Sequence, residues 1–139
     1  MEVDDMDDTA DTIERNAVTQ NRYREANERV AEVYNKFAAL GGFDKTTELF
    51  ELFCECGKQN PCGERVKVSA ATYERVRADP LAFILTPGHG VAAVEEMVER
   101  GQGFLVARNF GRAAEIARAA DPRRLKDLAL GLERSRLVL

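Results

Sequence analysis

The sequence predicts an α+β fold: a long N-terminal helix, a small antiparallel sheet built from two hairpins, a cysteine-bearing knuckle between them, and C-terminal helices. Three observations predict it. Residues 9–40 hold neither Gly nor Pro and carry apolar side chains at helical spacing. Two later stretches alternate apolar and polar residues on either side of turn-forming glycines. All three cysteines lie within nine positions, Cys54 to Cys62.

The balance of 45% hydrophobic and 32% charged residues over 139 positions suits one globular domain with a modest core. No apolar run approaches the roughly 20 residues that span a bilayer. The segment Met1 to Asp11 is acidic, where a signal peptide is basic and then apolar. The expectation is a cytoplasmic protein without membrane contact. In that compartment an odd number of closely spaced cysteines points to metal or redox chemistry rather than a disulfide framework.

Residues 1–8 are predicted to be a disordered acidic lead-in, with five acidic side chains and few apolar ones. Residues 9–41 form the N-terminal helix, capped at Thr9 or Asp11 and ended by Gly41-Gly42. Tyr23, Ala26, Val30, Val33, Phe37 and Leu40 recur at alternating three- and four-residue steps and so share one stripe. Such a stripe packs on its own domain or pairs two copies as a coiled coil. The first is favoured, because Ile13, Ala17, Gln20 and Asn21 break the heptad phase upstream.

Residues 42–121 form the α+β domain proper. Glu48 to Cys56 reads as a strand that turns Phe50, Leu52, Cys54 and Cys56 inward and Glu51 and Glu55 outward. Gly57, Pro61 and Gly63 turn the chain, and Arg65-Val66-Lys67-Val68 returns it. Ser69 caps a short helix, Ala70 to Ala78, that ends before Asp79-Pro80. Leu81 to Leu85 is a strand or a buried helical turn. Val91 to Arg100 and Phe104 to Arg108 flank Gly101-Gln102-Gly103 as a hairpin, although Ala92 to Val98 would also make a helix. A helix follows from Gly111 to Ala120, with Ala114, Ile116, Ala117 and Ala120 as its apolar positions. Residues 122–139 read as a C-terminal helical extension in which Leu125, Leu128, Ala129 and Leu132 face the core.

The only histidine, His89, stands in a Thr86-Pro87-Gly88-His89-Gly90 turn. With Cys54, Cys56 and Cys62 it completes a ligand set for tetrahedral zinc, which takes thiolate sulfur and neutral ring nitrogen. A C-x-C pair in an extended chain offers both sulfurs to one ion. Glu55, Gly57, Lys58, Gln59 and Asn60 are poor surroundings for inert core thiols. The spacing is not that of the common zinc fingers. The knuckle is therefore a zinc knuckle, with Lys58, Arg65 and Lys67 and backbone N–H groups near enough in sequence to offset its negative charge.

The same residues resemble the iron-sulfur proteins of the CDGSH type, which also use three cysteines and a histidine. Here the histidine lies far beyond Cys62 instead of a few residues past it, which disfavours a cluster. Phe53-Cys54-Glu55-Cys56, Cys62, Glu64-Arg65-Val66, Tyr73 to Pro80 and Pro87-Gly88-His89 resemble, over about residues 13–121, a set of small uncharacterised proteins found mainly in actinobacteria. That resemblance implies that Cys54, Cys56, Cys62 and His89 are one site and that residues beyond Asp121 are an extension. It implies no activity.

No nucleophile is paired with a histidine, no glycine loop suits a phosphate, and Gly101-Gln102-Gly103 lacks the third glycine of a dinucleotide site. The reading is a non-enzymatic, zinc-stabilised regulatory module that binds a protein partner, with homodimerisation through the N-terminal helix as one form of that. The net charge of −4 hides a split of −5 over residues 1–40, −3 over 41–100 and +4 over 101–139. Nucleic acid binding by the basic segment ranks lower, since its basic residues alternate with Glu115, Asp121, Asp127 and Glu133. A thiol switch at Cys54 or Cys56 is a further alternative.

Overall fold

In a computed structural model, residues 2–41, 44–58 and 62–129 are described, with side chains from residue 10 onward. Helix α1 (Glu2–Ala39) is followed by strands β1 (Leu49–Phe53) and β2 (Arg65–Ser69), helix α2 (Ala70–Arg77), strands β3 (Ala82–Leu85), β4 (Glu95–Arg100) and β5 (Leu105–Asn109), and helix α3 (Gly111–Ala119). Residues 122–129 are helical as well. The α+β class and the order of elements follow the sequence. Helix α1 begins at Glu2, so residues 2–8 continue the helix where a disordered lead-in was expected. Extending an existing helix costs far less than starting one. Its other end is marked by Gly41 at φ 80°, with Gly41 N–H donating to Ala38 O at 3.0 Å. Gly42, Gln59, Asn60 and Pro61, and Leu132 in the C-terminal extension, lie outside the described residues.

The hairpins occupy two sheets. β1 and β2 pair antiparallel with Phe50 opposite Val68 and Leu52 opposite Val66. β3, β5 and β4 form the second sheet in that order, all antiparallel. Leu81 to Leu85 is thus resolved as a strand. Ala92 to Val98 is resolved as a turn leading into β4, with a bulge between Met97 and Glu99. Between the sheets and α2 lies the core of Phe50, Leu52, Val66, Val68, Tyr73, Ile84 and Val106. Each of its large side chains contributes about 1.5–3 kcal/mol by leaving water. Helix α2 starts where Ser69 Oγ accepts Thr72 N–H at 3.2 Å, the cap that the sequence indicated.

The docked face of α1 is not the expected stripe. Ala17, Gln20, Arg24, Asn27 and Ala31 are buried, flanked by half-buried Ile13 and Tyr34, whereas Val33, Phe37 and Leu40 are 51, 57 and 84% exposed. The helical period was read correctly and the phase was one residue off, because the surface that receives α1 is polar. Arg24 lies over the Phe83 ring at 4.8 Å and donates to Pro80 O at 2.6 Å and to Ala117 O at 2.8 Å in the last turn of α3. Such buried donors need carbonyl partners to repay their lost water. In the C-terminal extension Leu125 and Leu128 are about half exposed, at 52 and 53%, and so do not face the core as expected. On α3 the buried residues are Ala113, Ala114 and Ala117, with Ala120 exposed.

Candidate metal centre

β1 runs straight into the knuckle. Cys54 N–H donates to Glu64 O at 3.1 Å, continuing the β1–β2 ladder, and Glu55 N–H crosses to Ile84 O of β3 at 2.8 Å. The chain therefore changes sheets between Cys54 and Cys56. From the other side, β3 ends at Leu85 and turns at once through Thr86 to His89, closed by His89 N–H donating to Thr86 O at 3.0 Å. Gly88 makes that turn at φ 87°, in the left-handed region that glycine enters without strain.

These two loops bring Cys54, Cys56, Cys62 and His89 together, with their ligand atoms all within 4.8 Å of one another, so that the group could hold a metal ion. His89 presents Nδ1, at 3.6 Å from Cys54 Sγ and 3.5 Å from Cys62 Sγ. Cys54 and Cys56 are buried against Leu85, Leu105 and Ala107, while Cys62 and His89 are half-buried at the rim. All three thiols are free, none in a disulfide.

Each sulfur receives a backbone N–H: Thr86 to Cys54 at 3.2 Å, Lys58 to Cys56, and Glu64 to Cys62. Such donors stabilise thiolates in place. The side chains expected to help do not: Arg65 lies over the Phe53 ring at 4.3 Å, and Lys67 pairs with Glu51 at 3.8 Å across the hairpin. Hydrogen bonding from Cys54 holds Cys56 down to about 4 despite its burial. That same bond, followed by burial, pushes Cys54 up, and burial pushes Cys62 up.

Glu55 was expected to point outward and is instead fully buried. Its Oε1 accepts Ile84 N–H at 2.9 Å and Arg77 Nη2 at 3.3 Å, and its Oε2 accepts Asn27 Nδ2 at 2.7 Å. Strand alternation fails at this position because the strand has ended at Phe53, and the carboxylate is drawn in by three donors at the junction of the sheets. Asn27 also brackets Phe53, accepting its N–H at 2.8 Å and donating to its carbonyl at 2.9 Å. Further along α1, Gln20 donates to Glu95 Oε1 at 2.6 Å and accepts from Asn109 at 3.2 Å. Burial raises the Glu95 carboxyl above its ordinary value. None of Gln20, Asn27, Glu55 or Glu95 was singled out from the sequence. The available signal was amides recurring at helical spacing, Gln20 and Asn27, on a helix expected to bury apolar residues. Among protein-family models, curated proteins and solved structures, none matches the chain.

Proposed function

We propose that this chain is a non-enzymatic, zinc-stabilised module that serves regulation by binding a protein partner. The carrying observation is the convergence of three sulfurs and one ring nitrogen within 4.8 Å. Bond lengths of about 2.3 Å to sulfur and 2.0–2.1 Å to nitrogen imply sulfur–nitrogen edges of about 3.5 Å in a tetrahedron. His89 Nδ1 stands 3.5 and 3.6 Å from two of the sulfurs. The donor set, soft and borderline with no carboxylate, suits zinc above magnesium or calcium. Four protein ligands leave no place for a water nucleophile, so the ion is architectural. It ties the β1–β2 hairpin to the turn after β3.

For the partner, support comes from the end of α1, where Val33, Phe37 and, just past the helix, Leu40 stand out from the domain. The basic segment is less free than its charge suggests: Arg112 pairs with Glu14 and Glu115, and Arg123 with Glu28 and Glu74. That engagement weighs against a nucleic acid surface. A thiol switch is the second reading, favoured by three free sulfurs in reach of one another with Cys62 at the rim.

The test is metal analysis of the purified protein beside His89→Ala, with X-ray absorption of the bound ion. The expected result is about one zinc per chain in three-sulfur, one-nitrogen coordination, with weakened retention in the variant. Iron, an oxygen ligand in the first sphere, or unchanged retention in His89→Ala would overturn it.

A further inference from the structure

We propose that metal binding and the docking of α1 are coupled, so that loss of the ion releases the middle of α1 while the hydrophobic core stays folded. The inference rests on the metal reading above. Helix α1 grips the knuckle at its backbone. Asn27 holds Phe53 by both its N–H and its carbonyl, and holds Glu55 by its carboxylate. Glu55 stands between two of the ligands, Cys54 and Cys56, so any rotation of that C-x-C segment moves the carboxylate that Asn27 and Ile84 N–H share.

One turn beyond, Gly57 sits against α1 with no room between. A Cβ added there would lie 2.4 Å from Asn16 O and 3.2 Å from Gln20 Cγ, and its φ of 64° already demands glycine. The knuckle backbone from Phe53 to Gly57 is thus one seat of the helix, held by Asn27 and by the contact at Gly57, while Gln20 and Arg24 hold Glu95, Pro80 and Ala117.

The seat is polar. Of the buried residues in this stretch of α1, Gln20, Asn21, Arg24 and Asn27 are polar and only Ala17, packed with Val94 and Ala113, is apolar. Each hydrogen bond is worth only about 1 kcal/mol net, and is lost once its partner shifts by a fraction of an ångström. Apolar area could hold a displaced helix loosely, but amides cannot. The main core is differently placed. Phe50, Leu52, Val66, Val68, Tyr73, Ile84 and Val106 pack together with Ala31, Val30 and Tyr34 beyond the middle of α1, and the cluster includes none of the four ligands. An ion that sets the shape of residues 54–62 therefore governs α1 more directly than the core. By linkage, α1 must tighten the ion by the same factor.

An undocked helix is marginal in water, so its amides exchange freely and report the event. The experiment is hydrogen exchange on the full chain, loaded with zinc and then stripped by a strong chelator, with metal content followed in parallel. The expected result is at least tenfold faster exchange over residues 16–27 after stripping, with Val66 to Tyr73 of β2 and α2 unchanged. Alongside it, Asn27→Ala is expected to weaken zinc about tenfold in chelator competition. Asn21→Ala, buried on the same helix but bonded to Ala17 O and Arg24 instead of the knuckle, should leave zinc affinity as it was.

Unchanged exchange in α1 would overturn the coupling, as would equal acceleration in every element or equal zinc affinity for the two variants. If Asn27→Ala does not fold, exchange in the unaltered chain decides alone. A chain that takes up no zinc overturns the metal reading itself and is recognised from metal content before any exchange is followed.

Discussion

Glu55 shows how much one buried side chain can be asked to do. Its carboxylate accepts from Ile84 N–H on β3, Arg77 on α2 and Asn27 on α1, while its own N–H donates to Ile84 O. It is the point at which both sheets and two helices meet. Arg77, 1% exposed at its side chain, finds its ion-pair partner in Glu55 at 3.3 Å and otherwise donates to Ala82 O. Glu55→Gln keeps the shape but removes the charge and turns an amide donor toward Arg77 or Asn27. Breaking one side of a buried pair leaves the other charge without compensation, which costs about 3–5 kcal/mol. Urea unfolding of the metal-loaded variant should show that loss. A loss below 1 kcal/mol would mean that Glu55 merely fills space. Nothing in a Cys-Glu-Cys triplet announces this role, because strand alternation sends an acidic residue outward unless donors from elsewhere in the chain draw it in.

At the scale of elements, the strands and short helices were readable because their signals are local. Alternation gave β1 and β2, the apolar run after Gly101-Gln102-Gly103 gave β5, Ser69 gave the start of α2, and Gly41 gave the end of α1. The docked face of α1 was not readable by the same means. Hydrophobic periodicity finds apolar stripes, and this helix carries its apolar stripe beside the face it buries. The chosen face is set by carbonyls and carboxylates contributed by residues 53–55, 80, 95 and 117, which no local window contains. The distinction is measurable within one turn of α1. Tyr34 stacks on Phe50 with ring centroids 4.5 Å apart, whereas Phe37 is 57% exposed. Phe37→Ser is expected to change folding stability by less than about 0.5 kcal/mol. Tyr34→Ala should cost about 1.5 kcal/mol or more, through lost burial and ring contact. Chemical denaturation of the two variants checks the order. A large loss for Phe37→Ser would show that its side chain is covered in solution, by a second copy or by another part of the chain.

At the scale of the whole molecule, the proposed centre joins residues 54 to 89, and its closure has a sign in pH. The site was legible from economy of ligands, since the chain has three cysteines and one histidine in all. Its protonation was not, because that follows from burial and from sulfur-to-sulfur contact in the folded state. Without metal, the hydrogen bond from Cys54 holds Cys56 down to about 4, which favours one thiolate in the Cys54–Cys56 pair. Cys54, through that bond and burial, and Cys62, through burial, are pushed up and keep their protons. Zinc requires all three sulfurs as thiolates, so binding near neutral pH must expel two protons. Each proton released makes the apparent affinity ten times stronger per unit rise in pH. The expected slope between pH 7 and 8 is therefore about a hundredfold tightening per unit, weakening by the same factor in the other direction. Chelator competition at several pH values measures it, and calorimetry in two buffers of different ionisation enthalpy counts the protons. Three protons would show that Cys56 is not a preformed thiolate. A flat profile would show that Cys54 and Cys62 give up no proton on binding, which would overturn the assignment of both as thiols.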